Sequence, residues 1–147
     1  MTELDGHRVY FDANAFIYFL DQHPRYVDLV TPIFEAAYAG QLEAVTGQIA
    51  VAEVMVGPYR SGDQRIIERT AAFFETPNLF DIRPHGHREF DEAARLRART
   101  SLLLVDALHV ATARHSGCDY FVTNDARIRS ESDLTVLQID ARRSGEQ

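Results

Sequence analysis

Four carboxylates stand where the pattern of the chain would otherwise put apolar or turn residues. Asp12 follows the apolar run Val9-Tyr10-Phe11, Glu53 lies inside IAVAEVMV, Asp106 heads DALHVATA, and Asp125 closes YFVTND. Glu53 is the most telling, because a carboxylate inside an apolar helix needs a partner or a crevice. Each acid has a plainer use on its own. Glu53 could ride the exposed side of a half-buried helix. Asp106 could simply favour a helix start, and Asp125 could make a turn before Ala126-Arg127. Taken together they say more. Two like charges about 5 Å apart repel by roughly 3 kcal/mol at an effective dielectric of about 20, so convergent acids need protons or cations. Ligands that are all oxygen suit Mg2+ or Mn2+ rather than zinc. Such an ion can activate water and stabilise the oxygens of an in-line displacement at phosphorus. The chemistry implied is phosphodiester hydrolysis.

The elements that must position these acids alternate between strand and helix. Arg8 to Phe11 reads as a buried strand, and Asn14 is a candidate cap for the helix AFIYFLD. Phe16, Ile17, Phe19 and Leu20 cannot all face one core, so that helix is either buried between other helices or forms a partner surface. A helix spans Tyr26 to Ala39 with Pro32 inside it, then a strand from Leu42 to Val45. A helix from Gln48 to Val56 should end at Gly57-Pro58. A helix from Ile66 to Phe74, a strand from Leu79 to Ile82, a loop at Pro84 to Gly86 and a helix from Glu89 to Arg99 follow. Leu102 to Asp125 then supplies a helix carrying Ala107, Val110, Ala111 and Ala113, a stop at Gly117 and a strand at Tyr120 to Val122. Leu134 to Ile139 alternates as an edge strand should, and Ala141 to Gln147 reads as a polar tail. This order predicts an α/β fold, three layers α/β/α around a central parallel sheet, as a single domain over 1–147. In such a sheet, ligands collect beyond the carboxyl ends of the strands, where Asp12 and Asp125 fall.

Composition narrows the choices. Of 147 residues 46% are hydrophobic, an ordinary globular value, and no apolar run has membrane-spanning length. MTELDGHRVYFD lacks a signal-peptide pattern, and the single cysteine, Cys118, reads as a small buried residue, so a cytoplasmic location is expected. The net charge of −7 argues against a general electrostatic grip on nucleic acid. It leaves room for a nuclease whose acids are neutralised by metal. No lysine occurs, which excludes a receiver-type phosphoacceptor site. Asn14, two residues after Asp12, has no titrating proton and so argues against a haloacid-dehalogenase-type phosphatase. His85 and His87 flank Gly86, either as a soft-metal pair or as plain surface. His109 is either a satisfied helix histidine or a group near the site. Arg95, Arg97 and Arg99 read as a solvated face, whereas Arg127 and Arg129, just after Asp125, are placed to meet a phosphodiester backbone.

The segments VYFDANAF, VTGQIAVAEV, LLVDALHVATA and YFVTND resemble, in order, the motifs of PIN-domain ribonucleases, and most closely those of VapC-type toxins of toxin–antitoxin pairs. The resemblance spans nearly the whole chain. It implies an acidic quartet of Asp12, Glu53, Asp106 and Asp125, with Asp12 and Asp106 as Mg2+ ligands and Asn14 and Thr123 as supporting polar residues. It also implies an RNA substrate, a cognate antitoxin and a homodimer. The alternatives are a catalytically inactive PIN-fold binding or regulatory module and a small metal-dependent phosphatase.

Overall fold

Val9, Tyr10 and Phe11 are apolar in succession because the strand they form is covered on both faces. The computed structural model describes residues 3–145, with side chains through residue 142. In it, β1 (Arg8–Phe11) is the middle of a five-stranded sheet. The other strands are β2 (Glu43–Gly47), β3 (Phe80–Arg83), β4 (Tyr120–Thr123) and β5 (Thr135–Gln138). All pairings are parallel, in the order β3-β2-β1-β4-β5. Tyr10 faces Val45 on one side and Phe121 on the other. From β1 the chain builds outward to β2 and β3, then returns to place β4 on the far side of β1. The topological switch therefore lies between β1 and β4, and in open parallel sheets ligands collect at the carboxyl ends beside such a point.

Among the described residues, seven helices cover the sheet: α1 (Ala13–Leu20), α2 (Val27–Tyr38), α3 (Gln48–Ser61), α4 (Gln64–Phe74), α5 (His87–Arg99), α6 (Leu104–His115) and α7 (Ile139–Gly145). Strand alternation separates two cores. Val9, Phe11, Ala44 and Val122 face the layer that holds α1 to α4 and α7, whereas Tyr10, Val45 and Phe121 face α5 and α6. The result is the three-layer α/β/α sandwich. Phe16 is fully buried in an aromatic cluster with Phe11, Phe34, Phe73, Phe74 and Phe80. Phe19 stacks on Phe34 at 4.2 Å between centroids. Helix α1 thus packs against α2 and α3, with Phe16 fully buried and Ile17, Phe19 and Leu20 half-buried. The large exposed apolar side chains lie elsewhere, among them Phe90, Leu103, Leu104 and Val105.

Three local expectations are corrected. The cap of α1 is Asp12, whose Oδ1 accepts from the Ala15 N–H at 3.1 Å, while Asn14 is exposed in the first turn. Helix α3 runs through Gly57-Pro58 to Ser61 and ends on Gly62 at φ +68°. Pro32 likewise lies inside α2, so neither proline ends its helix. Beyond β5 the chain forms α7, not a polar tail, because Ile139 is fully buried and anchors it; residues 146 and 147 lie outside the described residues. Among the described residues no helix is long and apolar enough to cross a membrane.

Candidate active site

Each candidate acid is positioned by a different local device. Asp12 is the last step off β1, and its carboxylate works at once as helix cap and as acceptor. Oδ1 takes the Ala15 N–H and Oδ2 takes the Thr123 hydroxyl at 2.5 Å. Thr123, fully buried at the end of β4, also accepts the Asp125 N–H at 3.1 Å, so one hydroxyl ties the exits of the two central strands together. Asp12 is 6% exposed. Burial raises its carboxyl from 3.8 to about 6, against the opposing pull of the Thr123 hydrogen bond.

Asp106 sits in the first turn of α6, and Asp125 in the loop after β4. Burial, then the neighbouring Asp125 charge, pushes the Asp106 carboxyl up. Asp125 goes the other way, held below the usual carboxylate range chiefly by its hydrogen bonds to the Arg127 guanidinium. Arg127 Nη2 meets Asp125 Oδ2 at 2.8 Å, its Nε meets Asp125 Oδ1 at 3.0 Å, and Nη2 also lies 3.5 Å from Asp106 Oδ2. Arg127 remains 46% exposed while pairing with both acids, so it brings positive charge to them at the surface. Arg129 is exposed on the same loop.

Glu53 projects from α3 with 38% of its side chain exposed, and its Oε1 accepts from His109 Nε2 at 2.7 Å. His109 is buried, and its Nδ1 is 2.7 Å from the Tyr10 hydroxyl. Electrostatically, Glu53 acts on both Asp12 and Asp106, contributing to their upward shifts, and Asp125 acts on Asp106. The four acids are not a preassembled cage: among the described residues no three His, Cys, Asp or Glu side chains are grouped as ready metal ligands.

Sequence reasoning missed the Arg127 bridge and the Tyr10–His109–Glu53 chain. An arginine two residues after an aspartate was a local signal for the first; nothing local signals the second. His85 and His87 do not form a metal pair. His85 Nε2 accepts from the Ile49 N–H at 3.1 Å and Nδ1 pairs with Thr112 Oγ1 at 2.7 Å, while His87 is exposed at the start of α5. Arg95 pairs with Asp91 and Arg97 with the Leu102 carbonyl, as a solvated helix face would. Cys118 is buried, and burial lifts its thiol to about 12, which leaves it inert.

The family model for the PIN domain matches residues 9–132, and the chain belongs to that family. Solved structures with the same fold include toxin–antitoxin proteins. A toxin–antitoxin complex from Klebsiella pneumoniae is 20% identical with a TM-score of 0.68, over 86% of this chain and 95% of that one. VapBC2 from Rickettsia felis, bound to a DNA fragment of its promoter, is 17% identical with a TM-score of 0.70, over 89% and 98%. VapC20 from Mycobacterium tuberculosis, a toxin that cleaves the sarcin–ricin loop, is 14% identical with a TM-score of 0.63, over 77% and 86%. No curated protein matches the chain in sequence.

Proposed function

We propose that this protein is a Mg2+- or Mn2+-dependent endoribonuclease and the toxin of a VapBC-type pair. The observation that carries the reading is the pair of acids Asp106 and Asp125 under one guanidinium, beside a buried Asp12 that is costly to ionise. Such a site holds more negative charge than its own partners offset. The donors fit a hard divalent ion, being carboxylate oxygens in a partly open crevice. Asp12 and Asp106 are the residues that would hold it. Bound there, the ion would activate water and stabilise charge on phosphate oxygens.

The rest of the chemistry belongs to the chain. Thr123 fixes the Asp12 carboxylate, leaving it no freedom to turn away from the crevice. Glu53 and Asp125 complete the negative field that draws the cation and orients water. Arg127 holds Asp125 in place, and Arg129 and Asn14 offer polar contacts to an RNA backbone at the mouth. Cleavage of RNA in Mg2+ that stops in excess EDTA supports the reading. Metal binding without cleavage would favour an inactive PIN-fold module, and hydrolysis of a generic phosphomonoester would favour a phosphatase.

The VapC-like structures are toxin–antitoxin assemblies, and an antitoxin is the proposed partner here. A homodimer is proposed through the exposed apolar side chains Phe90, Leu103, Leu104 and Val105, which water would otherwise cover. A cytoplasmic location goes with that reading. Arg127→Gln gives a further expectation. The guanidinium competes with a divalent ion for Asp106 and Asp125, so the variant should bind Mn2+ about two- to fivefold more tightly by calorimetry, while its metal-free form melts lower.

A further inference from the structure

Glu53 is held from behind by a chain that runs into the core. The Tyr10 ring is fully buried, stacked on Phe121 with 5.1 Å between centroids. Its hydroxyl lies 2.7 Å from His109 Nδ1, and His109, itself 3% exposed, places Nε2 2.7 Å from Glu53 Oε1. A carboxylate acceptor requires the proton on Nε2. Nδ1 meets the Tyr10 hydroxyl, so both ring nitrogens are engaged and the ring orientation is fixed. The packing around this pair leaves little play. A Cβ at Gly47 would come within 2.7 Å of the Tyr10 hydroxyl and 2.5 Å of His85 Cε1. His85 is itself pinned to Thr112 on α6 and to the Ile49 N–H at the start of α3. His109 also lies one turn after Asp106 on α6, so the same helix carries one acid of the site and the group that holds another.

We infer that His109 is a positioning residue for the acidic site: locked by Tyr10, it holds one oxygen of Glu53 and leaves the other facing the crevice. The inference rests on the metal-dependent nuclease reading for its consequence, and on the hydrogen-bond chain for its geometry. Groups that orient a metal-site carboxylate from behind typically carry about 10–100-fold in metal affinity.

Two substitutions separate the functions of the ring. In His109→Gln the amide reaches the position of Nε2 and can still donate to Glu53; in His109→Asn it reaches that of Nδ1 and can serve Tyr10 alone. Mn2+ is titrated into each full-length, metal-free protein by calorimetry. Thermal unfolding and the crystallographic position of Glu53 are recorded alongside. The expected result is an Mn2+ dissociation constant within about threefold of wild type for His109→Gln and weaker by about tenfold or more for His109→Asn. The Glu53 carboxylate should stay in place in the first and move in the second, although both lower the melting temperature. Equal Mn2+ affinities in the two variants, or an unmoved Glu53 in His109→Asn, overturn the inference. If His109→Asn does not fold, Tyr10→Phe replaces it, with a loss of Mn2+ affinity expected and unchanged affinity contradicting. Absence of Mn2+ binding by the wild type would instead defeat the functional reading, and Glu53 in the crystals would still decide this one.

Discussion

Asparagine at position 106 is expected to lower RNA cleavage by about 10³-fold or more while leaving the fold intact. The size follows from its place: orienting groups behind a metal ligand already carry about 10–100-fold, and Asp106 is proposed as a ligand itself. Stability should not fall with activity. Burial and Asp125 both oppose ionisation of Asp106, so a neutral isostere removes a cost in the metal-free protein. The loss of its 3.5 Å contact to Arg127 is minor, because that guanidinium keeps its shorter bonds to Asp125. Cleavage rate and thermal unfolding measured on one preparation check both halves. A variant that keeps wild-type cleavage removes Asp106 from the site.

The second large effect concerns pH and Asp12. Its carboxyl titrates near 6 in the folded protein against 3.8 ordinarily. Between those values the folded state keeps a proton that the unfolded chain has lost, so the contribution of Asp12 to stability falls as pH rises through that window. Above it the ionised, buried carboxylate costs up to about 3 kcal/mol, at about 1.4 kcal/mol for each unit of displacement. Asp12→Asn keeps an oxygen to cap α1 and removes the charge. Metal-free Asp12→Asn should therefore be more stable than wild type at pH 7.5, with the difference shrinking toward pH 4. Saturating Mn2+ should stabilise the wild type and not the variant. Chemical denaturation from pH 4 to 8, with and without Mn2+, reads all of this. A variant less stable than wild type at pH 7.5 would mean that Asp12 is no burden when ionised.

Much of this site was legible because its parts are strand exits and helix starts. Asp12 and Asp125 follow apolar runs that read as buried strands, and a parallel α/β order sends both to one edge. Glu53 stood out as an acid in an apolar helix. What the sequence hid is of two kinds. Some features override a local signal: α3 passes through Pro58 to end at Gly62, and α7 forms where Ile139 finds a place in the core. Others join segments far apart. Tyr10 and His109 are separated by 99 positions, and no periodicity within α6 says which strand side chain will meet the ring. The choice between Asp12 and Asn14 as the cap of α1 turned on one residue, since both are good caps; only Asp12 has the extended backbone that the position requires.

The most direct measurement is anomalous scattering from crystals of the metal-free protein soaked in Mn2+. A peak is expected beside the carboxyl ends of β1 and β4, within about 2–2.3 Å of carboxylate oxygens of Asp12 and Asp106, with Arg127 drawn away from Asp106. No peak there at saturating Mn2+, or Mn2+ bound elsewhere with Arg127 still bridging Asp106 and Asp125, would contradict the proposed metal site.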